Sequence, residues 1–387
     1  GRVTVLEAPP LDLAPRVASA AIDDFAVPTG REEEWRFAPV AELAGFMNPD
    51  PAVGDLLADS SAHVRVVPAD RAEASSWLPT DRPSAVARAG VRTVIEVRVA
   101  ADEVVAEPIV VNLTGSAAAN YGHVDVRVGR HAKATVVVVH DATVDASGSI
   151  VTQVGDGADL TMLSIIDGPP EHVHLWQWHA DVGRDARFVG SVVTLGGRVV
   201  RIMPSVSYLA PGGSAELLGA FLADGPQYLE HRIFVNHEQP HCSSNVVYKG
   251  ALSGEGAHTV WIGDVLVRRE AVGIDTYELN RNLLLDDGPR ADSVPNLELE
   301  TGDVASAGHA SATGRFDDEQ LFYLQSRGIT ETLARQLVVR GFFVDVLGRI
   351  PSTQWRDLVL DRISNRLGMT ASAVDDEVGA LDDGMGA

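Results

Sequence analysis

Residues 123–129 read HVDVRVG and residues 134–141 read ATVVVVHD. In the first stretch Val124, Val126 and Val128 alternate with polar residues, so an extended chain there has one apolar face. TVIEVRVA, residues 93–100, sets Ile95, Val97 and Val99 against Glu96 and Arg98 in the same way. This strand character continues through SIVTQVGDG (149–157), DLTMLSIID (159–167), HVHLWQWHA (172–180), ARFVGSVVTLGG (186–197), AELLGAFLADG (215–225) and TVWIGDVLVRRE (259–270). Gly or Asp stands at the joints and no convincing helix intervenes, which disfavours alternating βα architecture. A sandwich, a barrel or a β-helix remains. So many short strands exceed a usual sandwich, and their spacing suits a stacked solenoid of irregular coil length, although no strict hexapeptide repeat is present.

The period changes on both sides of this region. Between residues 10 and 60, Leu13, Val17, Ala21 and Phe25 recur at helical spacing, and PTGREEEWRFAPVAEL predicts a helix start at Thr29. After residue 315 the pattern is helical again. Asp317 and Gln320 form a capping-box-like start, and Gly328 is placed to end that helix. Leu333, Leu337, Val344 and Leu347 then continue an apolar stripe, followed after Pro351 by Trp355, Val359, Ile363 and Leu367. The expected organisation is a helical region over 1–80, a β-helix core over 81–315, a C-terminal helical domain over 316–370 and an acidic tail over 371–387.

The chain has 387 residues, with 31 basic and 54 acidic ones, for a formal charge of −23. That charge repels nucleic acid and anionic membrane. Lysine occurs only at Lys133 and Lys249. The single cysteine, Cys242, excludes an internal disulfide framework, fits a reducing compartment, and cannot by itself hold a four-cysteine zinc or iron-sulfur site. No apolar run approaches the roughly 20 residues that span a bilayer, and the first residues lack a signal-peptide core. A soluble, cytoplasmic protein is expected, and a first residue of Gly fits a trimmed start.

The chain contains no Gly-Lys dipeptide and so no P-loop, which leaves any ATP hydrolysis to a partner. A G-x-S-x-G elbow is also absent. His172 and His174 share one face of a strand, with His179 on the other, as metal ligands or as ordinary strand histidines. His237, His241 and Cys242 lie within six residues and offer three soft or borderline ligands, but Pro240 and the surrounding Asn and Ser residues favour a turn. In TYELNRNLLLDDGPRADSVPNLELE (276–300) the alternating asparagines suit an internal solenoid ladder. His309 is open to three readings: core residue, surface residue, or ligand or base. Its neighbours Ser306, Ala307, Gly308, Ala310, Ser311 and Ala312 have so little bulk that another backbone can approach the imidazole closely.

Residues 231–329 resemble the SufB and SufD family of iron-sulfur cluster assembly proteins. The resemblance joins SSNVVYKG, NRNLLL, a P-x-L-E-L strand, DV and FYLQSRGI in order, and REEEWRF near residue 31 is similar to the family's N-terminal portion. It lies closer to the SufD branch than to the cysteine-bearing SufB branch, because LLLDDGPRADSVPNLE lacks the thiol expected of a scaffold. The stretch SAGHAS also lacks the thiol that many relatives carry beside this histidine.

The resemblance implies a right-handed parallel β-helix with N-terminal and C-terminal helical domains. It implies a non-enzymatic scaffold component that pairs with a SufB-like paralogue and binds a SufC-like ATPase through its C-terminal helices, at Phe322, Tyr323, Arg327, Phe342 and Phe343. His309 then matches the histidine presented at the SufB interface, an iron ligand candidate for a cluster assembled transiently between subunits. No cofactor would be held stably by this chain alone, and ATP would enter only through SufC. Isolated, the chain would be free to form a homodimer. The other class weighed is a β-helix enzyme acting on polysaccharide, which the two lysines and the lack of a paired-carboxylate motif disfavour.

Overall fold

The computed structural model describes residues 13, 16–316, 318–350 and 352–367. Its body is a parallel β-solenoid in which each coil contributes one strand to each of two sheets. One sheet has 11 strands and ends on Arg290–Leu299, and the other has 8 and ends on Val304–Arg315. The offset between stacked partners grows from 26 residues, Lys133 against Asp159, to 32, His258 against Arg290. This drift explains why the sequence carries strands but no fixed repeat.

A column of left-handed residues makes the corner from the first sheet to the second. His131, Asp185 and His241 have φ of 58, 52 and 60°, and Gly157, Gly212 and Gly273 occupy the same corner in alternate coils. Each amide is bonded to the next coil, as in His131 N–H to Asp156 O and Gly157 N–H to Arg184 O. The glycines are needed twice over. A Cβ at Gly157 would meet the His131 ring at 2.3 Å, and one at Gly212 would meet Asp185 Oδ1 at 2.0 Å. A bulky left-handed residue is tolerated in one coil because the next coil supplies none.

Inward residues of successive strands, among them Val136, Leu160, Phe188, Leu217 and Phe221, form one apolar core. SSNVVYKG is built into it. Ser244, Val246, Tyr248 and Gly250 face inward, where a Cβ at Gly250 would lie 1.9 Å from the Phe221 ring. The alternate residues Val247 and Lys249 face out, and Lys249 Nζ reaches Phe342 O at 3.0 Å and Asp345 at 2.9 Å.

The outer faces of both sheets are covered. On the first lies the N-terminal segment, through Trp35, Leu43, Phe46 and Met47. Arg201 clamps it there: buried and stacked on Trp35 at 3.8 Å, it donates to Glu230 at 3.1 Å and Asp81 at 3.0 Å. This N-terminal region is helical only in short pieces, the 3-10 turns Ile22–Asp24, Val40–Phe46 and Ala69–Arg71, plus one α-helix, α1 (Arg82–Gly90). The expected helix through Leu13, Val17, Ala21 and Phe25 is therefore corrected. That stretch contains one 3-10 turn, Ile22–Asp24, and is tied to the first sheet by Arg16, which is bonded to Asp264 with its guanidinium 3.9 Å over Phe234. Thr29 does bond Glu32, but the result is a turn. The signal for α1 was Asp81, whose carboxylate accepts from Ser84 N–H, with Pro83 in the first turn.

Helices α3 (Glu331–Leu347) and α4 (Thr353–Arg366) cover the second sheet, and α2 (Asp318–Ser326) packs against α3. Gly328, at φ 88°, follows α2 as expected. Leu333, Val339, Phe343, Val346 and Leu347 make the buried face of α3, whereas Leu337 and Val344 face solvent and leave the predicted stripe. Asp317 and the tail 371–387 lie outside the described residues, and so does the side chain of Gln320. Among the described residues no helix is long and apolar enough to cross a membrane.

Candidate functional site

The last two coils differ from the rest. On strand Ile274–Leu284 the inward positions between Ile274 and Leu284 carry Thr276, Glu278, Asn280 and Asn282, all buried and all polar. The asparagines form the ladder read from the sequence: Asn282 Nδ2 donates to Asn280 Oδ1 at 2.9 Å and to Ser293 Oγ at 3.0 Å. Thr276 bonds Ser244 at 2.7 Å, and Asn280 donates to Tyr248 O.

His309 stacks on this ladder from the final strand. A bulge decides its orientation: Ile274 pairs with Val304, but Asp275 pairs with Ser306, so Ala305 is an extra residue and Glu278 comes opposite His309. Were Ala305 paired with Asp275 instead of bulged out, Glu278 would face Gly308, and the imidazole would point to the other side of the sheet. No further strand covers Val304–Arg315 among the described residues, so the His309 side chain remains 43 % exposed at the open end. Its Nδ1 lies 3.7 Å from Glu278 Oε1. Glu278 is fully buried, and neither of its oxygens has a hydrogen-bond partner. Burial, with Asp264 adding to it, pushes its carboxyl up to about 8.

The other histidine groups do not assemble into sites. His174 points into the core, where burial lowers it to about 4, while His172 lies at the strand's edge beside Asp145 at 3.1 Å. His179, on the outer face, has Ser205 Oγ at 2.8 Å and Asp181 Oδ1 at 3.0 Å. Those are Ser-His-Asp distances, but Ser205 is paired with strands on both sides, so its backbone offers no oxyanion donor.

His237 is buried against Tyr208, 2.9 Å from Ser244, and His241 sits in the left-handed corner. Residues 237–241, HEQPH, also match the letters H-E-x-x-H, a zinc motif that needs one helical turn between its histidines. Here a strand end and a turn separate the two rings. Cys242 is buried under Ala210 O and Pro240 O, and burial pushes its thiol up, away from reactive thiolate. Among the described residues no three His, Cys, Asp or Glu side chains are grouped to hold a metal.

On the C-terminal helices, Phe322 and Tyr323 are 72 % and 57 % exposed, and Arg327 lies 5.1 Å over the Tyr323 ring. Phe342 is half-buried beneath Lys249, at 5.0 Å. Phe343 is a correction to the expected contact set: it is fully buried between α3 and the second sheet and has no surface to offer. Sequence reasoning missed Glu278, whose signal was an acidic residue at an inward position of a strand that otherwise continues a core.

The family model of the SUF system FeS cluster assembly, SufBD core domain, matches residues 110–342. An iron-sulfur cluster assembly SufBD family protein of Mycobacterium bovis is 44 % identical over 374 residues, covering 92 % of this chain and 93 % of that one. A second such protein of the same organism is 32 % identical over 157 residues, 41 % of this chain and 18 % of its own length. The iron-sulfur cluster assembly protein SufD of Escherichia coli is 27 % identical over 249 residues, 63 % of this chain and 58 % of that one. The chain belongs to the SufBD family of iron-sulfur cluster assembly proteins.

Proposed function

We propose that this chain is the SufD-like half of an assembly scaffold: it pairs end to end with a SufB-like paralogue and presents His309 to a cluster being built between them. The observation that carries this is the position of His309, inward on a final coil that no strand among the described residues covers, with a half-exposed ring and small neighbours on its strand. Imidazole suits iron when thiolates come from elsewhere, and the one thiol of this chain is buried in a corner turn. The terminal strands Arg290–Leu299 and Val304–Arg315 offer two backbone edges to a partner's solenoid. That Mycobacterium bovis has two family members supports a paralogue as the partner.

The exposed Phe322, Tyr323 and Arg327 of the C-terminal helices suit a SufC-like ATPase, which would supply ATP-driven movement to a chain with no P-loop. The role is scaffolding in the cytoplasm, with the iron-sulfur cluster as transient cargo. Isolated, the same end is open to a second copy. Anaerobic co-expression with SufB-like and SufC-like proteins, followed by native mass spectrometry, is expected to give one complex containing all three. Failure to bind either partner overturns the proposal.

A further inference from the structure

Within the SufD-like reading above, on which this step rests, the structure leaves Glu278 unexplained. Its two oxygens are buried without hydrogen bonds, while Thr276, Asn280 and Asn282 beside it each bond a neighbour. No arginine or lysine compensates it: among the described residues its ion-pair partner is His309 alone. The space is nonetheless shaped for it. Gly263 stands opposite on the first sheet, where a Cβ would lie 2.3 Å from Glu278 Oε2. The bulge at Ala305 then brings the one inward imidazole of the last strand over this carboxylate. A metal-binding histidine ordinarily donates its second ring N–H to a carboxylate or carbonyl, which fixes both the ring and the tautomer.

We propose that Glu278 is the positioning residue for His309: it accepts the Nδ1 proton, orients the ring and leaves Nε2 as the bare nitrogen facing the partner and its iron. The present 3.7 Å closes to a hydrogen bond of roughly 2.9 Å by a small side-chain rotation. Nε2 is then the ligating atom, and Glu278 touches neither iron nor partner.

The test uses the full chain labelled with 15N-histidine, and the same chain in complex with SufB-like and SufC-like partners. His309 resonances are those lost in His309→Ala. At pH 8.5 the wild type is expected to carry its proton on Nδ1, and Glu278→Leu to carry it on Nε2, the preference of free imidazole. Glu278→Leu removes a buried charge and is expected to melt at or above the wild-type temperature, yet to lower cluster per complex about tenfold. A purely structural glutamate would not separate these readouts. Glu278→Gln keeps the shape, is expected to shift the nitrogens the same way by less, and stands in if the leucine variant does not fold.

Unchanged nitrogen shifts overturn the proposal, as does a changed tautomer with wild-type cluster levels. Full cluster on His309→Ala overturns the assembly reading instead, while the nitrogen shifts still report on the contact itself.

Discussion

The early coils and the last two coils share one backbone plan and fill it oppositely. In the early coils Val136, Leu160, Phe188 and Phe221 build a dry core, and His140, His231 and His237 each keep a hydroxyl within 3.0 Å. Burial holds all three rings neutral, at about 3. In the last coils the same inward positions carry Thr276, Glu278, Asn280, Asn282 and His309, ending at an edge that no strand among the described residues covers. A closed core maximises burial, whereas the open end keeps polar groups at its inward positions. The carboxylate of Glu278, buried without a hydrogen bond, marks where the two fillings diverge.

Four changes probe the contrast. Phe221→Ala, in the dry core beside Gly250, is expected to cost about 3–5 kcal/mol, read as a lower denaturant midpoint. The last coils respond in the opposite sense. Because the folded Glu278 carboxyl is raised from 4.5 to about 8, the folded state holds a proton that the unfolded state has lost. Stability is therefore full below pH 4.5 and falls as pH rises towards 8. Glu278→Gln lacks this loss, so its advantage over the wild type is expected to grow across that window to roughly 2–4 kcal/mol, measured by thermal melts at pH 5 and pH 8.5. Equal advantages at both pH values would show the carboxyl to be unperturbed.

Deletion of Ala305 removes the bulge. Ser306 then follows Val304 directly and keeps its place opposite Asp275, so His309 stays opposite Glu278; the stability change is expected to be within about 1 kcal/mol and cluster assembly to stay near the wild-type level. Assembly at the level of His309→Ala in the deletion variant would contradict the assigned register. The smallest expected effect on stability is that of Phe322→Ala, within about 0.5 kcal/mol, because the ring is solvent-exposed. It is expected to weaken binding of the SufC-like ATPase in a pull-down, and unchanged binding would move that contact off α2.

The fold was legible wherever a local period persists. Val124, Val126 and Val128 alternate in the sequence and face inward in the structure. The asparagine ladder was readable for the same reason, since Asn280 and Asn282 are two residues apart on one strand. What misled was periodicity without a matching local structure. Leu13, Val17, Ala21 and Phe25 have helical spacing but make no α-helix, and Arg16 ties that stretch to the first sheet through a contact 248 residues away.

Within the site, His309 was legible but its setting was not. The Ala305 bulge and the Gly263 recess depend on stacking between coils whose length drifts, and no single stretch encodes that register. Family motifs, moreover, proved to be partly architectural: Tyr248 and Gly250 of SSNVVYKG pack the interior, and Lys249 ties α3 to the second sheet.

The central claim is that the open end carries the function through His309. The most direct measurement is iron and acid-labile sulfide per complex, after anaerobic reconstitution, for His309→Ala and the wild type with SufB-like and SufC-like partners. The account predicts complexes of identical stoichiometry with cluster content lowered about tenfold. Wild-type cluster content on a correctly assembled variant would contradict it.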